Sequence, residues 1–209
     1  AITSTAALTI DAGSVDFGNV INGGHLSITS TSSIDTGTIT GATYNVTLAS
    51  GSNGNITVGA VGADSAAVGT VSMTPNGTGV ISTAGDWYAN QTTLGAITPT
   101  GALSITTSND NITLGTLLGT SNVTLTSGNG TITLGNIGTN SSDVGILALS
   151  TSAPVSAAGN WYLGNITGDA AITSTAALTI DAGSVDFGNV INGGHLSITS
   201  TSSIDTGTI

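Results

Sequence analysis

The side chains of this chain that can do chemistry are eleven acids, all Asp, two His, and a large supply of Ser, Thr and Asn. Asp11 and Asp16, repeated as Asp181 and Asp186, lie in the segment DAGSVDFGN, which reads as a turn. Two carboxylates with backbone carbonyls between them are the oxygen-rich chemistry that suits Ca²⁺. No GGxGxDxUx calcium repeat accompanies them, so they are expected to be solvated turn residues rather than ligands. His25, of which His195 is the copy, is the imidazole available to a catalytic site, and there is no Cys or Glu to partner it. A nucleophile, base and orienter would have to be drawn from Ser, His and Asp alone. Paired Asp can also act as acid and base on a glycosidic bond, but such a site is normally single, and no distinctive acidic cluster stands out here. No catalytic, metal-binding or cofactor-binding residue is therefore assigned, and the chain is expected not to be an enzyme.

Trp87 with Tyr88 and Trp161 with Tyr162 are the large aromatic pairs. They could stack on sugar rings if exposed, but their equivalent places in two related segments point to packing. Nine Asn stand in N-x-Ser/Thr sequons: Asn45, Asn55, Asn76, Asn90, Asn111, Asn122, Asn129, Asn140 and Asn165. In a chain this rich in Ser and Thr many sequons arise by chance, and stacked Asn and Thr ladders account for them equally well. TGTIT from Thr36 and GTITL from Gly130 offer Thr at alternate outward positions, as a flat face recognising carbohydrate or ice would need. The motif lapses elsewhere, which ranks such a binding module second.

There is no Lys or Arg, and the net charge is −11. Nucleic acid and anionic membranes, which are bound chiefly through Lys and Arg, are therefore not expected as partners. No stretch is long and apolar enough to span a bilayer. Aromatic residues are 3 % of the chain and glycines number 31, so small apolar side chains must do the packing.

The elements that would position these residues are short strands. Apolar residues alternate with Ser or Thr at Leu8 and Ile10, Leu26 and Ile28, Val46 and Leu48, Leu103 and Ile105, and Val123 and Leu125, which is the period of a strand. These pairs are expected to point inward. Between such pairs lie SGSNGN, SND, SGNG and TPNGTG, whose Gly, Asn and Asp suit turns. The strand pairs recur every 18 to 20 residues, the scale of one coil of a parallel β-helix.

A longer period is superimposed. Residues 1–39 return unchanged as residues 171–209, a period of 170 residues that divides into about nine coils of about 19 residues. Within it, NVTLASGSNGNITVGAVG from Asn45 resembles NVTLTSGNGTITLGNIG from Asn122, and DWY from Asp86 resembles NWY from Asn160. The chain is thus expected to be a single continuous β-solenoid over residues 1–209: one unit, 1–170, and the start of the next, 171–209. Ile209 is expected to lead directly into further coils.

Segments such as LSITTSNDNITLGTLLGTSNVTLTSGNGTITLGNIG, Leu103 to Gly138, resemble the repeats of filamentous haemagglutinin, related large exoproteins and autotransporter adhesins. The resemblance implies a right-handed parallel β-helix, export from the cell, and a rod that holds something away from a surface. The complete lack of Lys, Arg and Glu departs from that pattern. The expected function is a structural repeat of a long extracellular or cell-surface fibre, with further copies of the same repeat as partners, joined covalently or head to tail. Glycans of a host or neighbouring cell are the other expected partner.

Overall fold

The computed structural model describes residues 1–168, 170–192 and 194–207; Ile209, from which the chain is expected to continue, lies outside them. The described residues contain no helix, and none long and apolar enough to cross a membrane. Parallel coils stack as a β-solenoid of about ten turns with a spacing of about 20 residues. The chain divides into two compact units, Ala1–Thr106 and Thr107–Ile209.

In the first unit the coils supply strands to three parallel ladders. Ile2–Ser4 pairs with Val20–Asn22, and that strand with Ile39–Thr40. Leu8–Ala12 pairs with Leu26–Ser30, which pairs with Val46–Ala49, which pairs with Val68–Thr74. Val15–Phe17 pairs with Ile34–Thr36, then Ile56–Val58, then Ile81–Thr107. The register places like on like. Ile10, Ile28, Leu48 and Met73 form one inward column, with Thr9, Ser27, Thr47 and Ser72 beside it facing outward.

The second unit repeats the plan. Leu117, Ile137, Trp161, Ile180 and Ile198 form one inward column. Val123, Leu147, Ile166, Val185 and Ile204 form another. A third holds Leu114, Leu134, Ala157 and Ser174. Because side chains alternate with period two, once one face of a strand is apolar every second residue is committed to the core.

Over the described residues, the two copies of the 39-residue segment pair in the same register. Leu8 opposes Leu26 as Leu178 opposes Leu196, and Val15 opposes Ile34 as Val185 opposes Ile204. Their burial differs, and coverage is the reason. Leu178 and Ile180 lie between coils on both sides and are fully buried, whereas Leu8 and Ile10, paired on one side, are half-buried. Conversely Leu26 and Ile28 are buried while Leu196 and Ile198 are half-buried, and Ile34 at 0 % exposure has a copy, Ile204, at 52 %. Inward direction is set by the strand; burial requires the next coil. The remaining inward residues expected from sequence, Val46, Leu48, Leu103, Ile105, Val123 and Leu125, are all buried.

The coils are unequal in length. Hydrogen bonds between neighbouring coils of the first unit join residues 19, 20 and 25 apart, and those of the second 20, 24 and 19 apart. The longest coil in each unit carries an extra hairpin, Ala63–Ala66 in the first and Thr139–Ser142 in the second, closed by an antiparallel bridge. Each follows a glycine in the left-handed region, Gly62 at φ 70° and Gly138 at φ 63°, where a side chain would be strained. Close approach demands glycine elsewhere: a Cβ on Gly135 would overlap the carbonyl oxygen of Gly115 on the preceding coil.

Thr36, expected outward, is buried at 2 % with its hydroxyl unpartnered. The segment TGTIT is not one strand: Ile34–Thr36 and Ile39–Thr40 are separate, and the corner at Gly37 and Thr38 resets the alternation. Thr131 and Thr133 do face outward, half-exposed, around buried Ile132. Thr92 is fully buried and its hydroxyl also lacks a partner.

Two outcomes follow from this core. Ile28→Asp places an unpaired charge at a fully buried position and lowers unfolding free energy by at least about 3 kcal/mol; an unchanged denaturant midpoint would show the register to be wrong. Thr92→Val removes a hydroxyl that has no hydrogen bond and raises stability by about 1 kcal/mol, seen as a higher thermal midpoint.

Candidate functional site

The acidic residues are dispersed by the fold in one respect and gathered in another. Asp11 lies on the strand Leu8–Ala12, exposed and opposite Thr29. Asp16 lies on a different ladder, exposed and opposite Asp35. Both are strand residues that face solvent, rather than turn residues. The neighbour of Asp16 is the acid one coil on, and the copies repeat the arrangement, with Asp186 opposite Asp205 and Asp181 opposite Thr199. Like charges opposed on adjacent strands repel. Among the described residues no group of three or more His and Asp side chains converges.

His25 is exposed. Its Nδ1 accepts a hydrogen bond from the Asn45 backbone N–H at 3.0 Å, and its ring meets Tyr44 edge to face at 6.0 Å. The imidazole thus joins one coil to the next. His195 is exposed as well.

The aromatic pairs split between inside and outside, as period two requires. Trp87 and Trp161 are fully buried. The indole Nε1 of Trp87 donates to Gly59 O and Thr83 Oγ1, both at 3.1 Å, and that of Trp161 donates to Gly135 O at 2.8 Å. Their packing role is as expected. Tyr88 and Tyr162, one residue on, point outward and are half-exposed.

Asn forms a second kind of ladder. Asn19 Oδ1 accepts from Thr38 N, Asn45 Oδ1 from Thr70 N, Asn55 Oδ1 from Val80 N, Asn111 Oδ1 from Thr131 N and Asn122 Oδ1 from Ile146 N, all at 2.9 to 3.1 Å. Each bond supplies a partner to a backbone N–H of the next coil near a corner. Four of these Asn belong to sequons and Asn19 does not, so the abundance of Asn has a structural explanation. The sequon residues Asn129 and Asn165 accept from Ser152 Oγ and Ser184 Oγ at 2.6 and 2.8 Å. Asn76, Asn90 and Asn140 are exposed.

The register reveals an order that spacing concealed. Thr9, Ser27, Thr47, Ser72 and Thr93 occupy one outward place on five successive coils. Thr113, Thr133, Ser156 and Thr173 do so on four coils of the second unit. The adjacent outward column is mixed, with Asp11, Thr29, Ala49 and Thr74. Coil lengths that vary by several residues hide such columns from any fixed-period reading.

Two depressions mark the second unit. One, of about 520 Å³, is lined by Thr126, Ser150, Thr151, Ser152 and Asn189 among others. Two of its hydroxyls are committed: Thr151 Oγ1 donates to Gly130 O at 2.7 Å and Ser152 Oγ to Asn129 Oδ1. The other, of about 350 Å³, is lined by Thr116, Leu118, Asn136, Asn140, Asn160 and Tyr162, with Gly138 and Thr139. It contains no charged side chain.

Asn122→Ala removes the acceptor for Ile146 N–H and costs about 1 kcal/mol, whereas Asn122→Asp keeps the acceptor and stays within about 0.5 kcal/mol of the parent. Equal losses in the two variants, read from denaturant titrations, would exclude the hydrogen-bond role. Comparison with protein-family models, with curated proteins and with solved structures gave no match.

Proposed function

We propose that this chain is the repeating shaft of a long extracellular or cell-surface fibre, such as an adhesin stalk, appendage or sheath filament, and that its role is mechanical rather than catalytic. The observation that carries this reading is the coincidence of sequence period and fold. A 39-residue segment returns unchanged after 170 residues and forms the same ladders in the same register. The second copy begins immediately beneath an existing coil, with Val155 opposite Ile172. A unit that stacks on its predecessor in this way can be followed by another without a change in register. Such stacking makes stability a sum over coils and their interfaces, and bending or unfolding must break a row of backbone bonds together with the apolar columns beneath.

Chemistry at the surface fits a shaft. Ser, Thr and Asn hydrate the outward columns, and eleven Asp without any Lys or Arg keep neighbouring molecules apart by repulsion. The partners in this reading are further copies of the same repeat, covalent or head to tail.

The native material is expected to be filamentous, with coils spaced about 4.8 Å along the filament axis and a mass, by sedimentation, of many units. Fibre diffraction and electron microscopy of material isolated from its source check this. Dispersed native molecules of one unit that stay monomeric at high concentration would overturn the shaft.

A further inference from the structure

We propose that the groove around Tyr162 binds a short neutral saccharide, about the size of a disaccharide. A shaft can carry this groove whether or not it is ever occupied, so the two readings fail separately.

The groove is a product of three local rules. Period two turns Trp161 and Leu163 into the core and leaves the ring of Tyr162 between them facing out. Gly138, left-handed at φ 63°, starts the hairpin Thr139–Ser142, and its missing side chain lets that loop sit against the Tyr162 backbone, where a Cβ would overlap Tyr162 O. Asn136 is held in place because its Oδ1 accepts from Asn160 N at 3.0 Å, which leaves its amide N–H₂ as a donor. Asn140 at the hairpin tip and Asn160 within the strand Val155–Gly168 are both exposed, and Leu118 and Thr116 are half-exposed on the remaining wall.

These groups match a neutral sugar better than other small ligands. A pyranose has an apolar C–H face and a rim of hydroxyls that both donate and accept. A half-exposed tyrosine ring offers an apolar body with a polar tip, and the Asn amides offer both donors and acceptors at the rim. The lining holds no charge, so an ion entering the groove would lose hydration without a counter-charge. An anion would also meet the field of a chain with net charge −11. The volume of about 350 Å³ lies at the lower end of the range that accepts small ligands.

The first unit supplies a control within the same molecule. Tyr88 follows Trp87 as Tyr162 follows Trp161, and Gly62 precedes the hairpin Ala63–Ala66 as Gly138 precedes its own. There, however, Ala60, Asp64 and Asp86 stand where the second unit has Asn136, Asn140 and Asn160. Two carboxylates replace two amides, and one amide is lost, so saccharide binding belongs to the second unit.

The test uses the 209-residue chain with cellobiose, maltose, lactose and N,N′-diacetylchitobiose as probes in saturation-transfer NMR and titration. At least one is expected to bind with a Kd in the millimolar range or tighter, and Tyr162→Ala to weaken it by about tenfold or more. Asn160→Asp, which recreates the residue type found at Asp86, is expected to weaken it several-fold, and Tyr88→Ala to leave it unchanged. Far-UV circular dichroism reports whether each variant keeps its strands; should Tyr162→Ala unfold, Asn160→Asp and the Tyr88→Ala comparison decide. No binding by any of the four probes overturns the proposal, as does binding that survives both Tyr162→Ala and Asn160→Asp or that is lost equally in Tyr88→Ala.

Discussion

Within each unit the coils are held by backbone hydrogen bonds to the coils beside them, and the other features of the structure are consequences of keeping those bonds in register. A parallel coil cannot satisfy its own N–H and C=O groups; they point along the stacking direction and need a neighbour about 4.8 Å away. Where the strands are regular, the ladder supplies that neighbour. At the corners it does not, and the chain then uses Asn19, Asn45, Asn55, Asn111 and Asn122, whose side-chain oxygens reach a backbone N–H one coil on. Glycine serves the same constraint from the steric side. At Gly135 the backbone of the preceding coil occupies the space a Cβ would need.

Stacking in register also sets the kind of core this chain can have. Like residues fall above like, so each column must be filled by side chains that fit a repeat of one strand spacing, and Val, Ile and Leu do so at most places. Trp87 and Trp161 are the bulkiest departures, each with its indole N–H bonded to a carbonyl or hydroxyl inside its unit. Each follows a coil lengthened by a hairpin. The copies of the 39-residue segment separate direction from burial: the same Leu and Ile face inward in both, and the neighbours present on either side decide how far water is excluded.

The outer surface follows a different logic, since its side chains face solvent rather than an apolar column. Ser and Thr recur in outward columns because alternation gives most inward places to apolar side chains, while acids are tolerated there even when Asp16 opposes Asp35. Local departures from the regular coil are where the surface acquires shape. The hairpin Thr139–Ser142 and the outward ring of Tyr162 produce a groove with amide walls, and the corresponding place in the first unit carries carboxylates instead.

Much of this was legible in the order of residues. Alternation at Leu26 and Ile28 or Val123 and Leu125, turn residues between the strands, and the return of 39 residues at a period of 170 determined a parallel β-solenoid with these side chains inward, because strand geometry and stacking are local or repeated properties. Trp packing followed from the same pattern. What only the tertiary structure decided depends on which residue of one coil meets which of the next. Coils between 18 and 25 residues long shift that correspondence. Thr36 therefore turned inward across a corner, Asp16 met Asp35 rather than Asp11, the hydroxyl columns stayed hidden, and Asn136, Asn140, Asn160 and Tyr162 came together from separate segments. Alternation is written within a strand, whereas the contacts between coils are set by the lengths of the loops that join them.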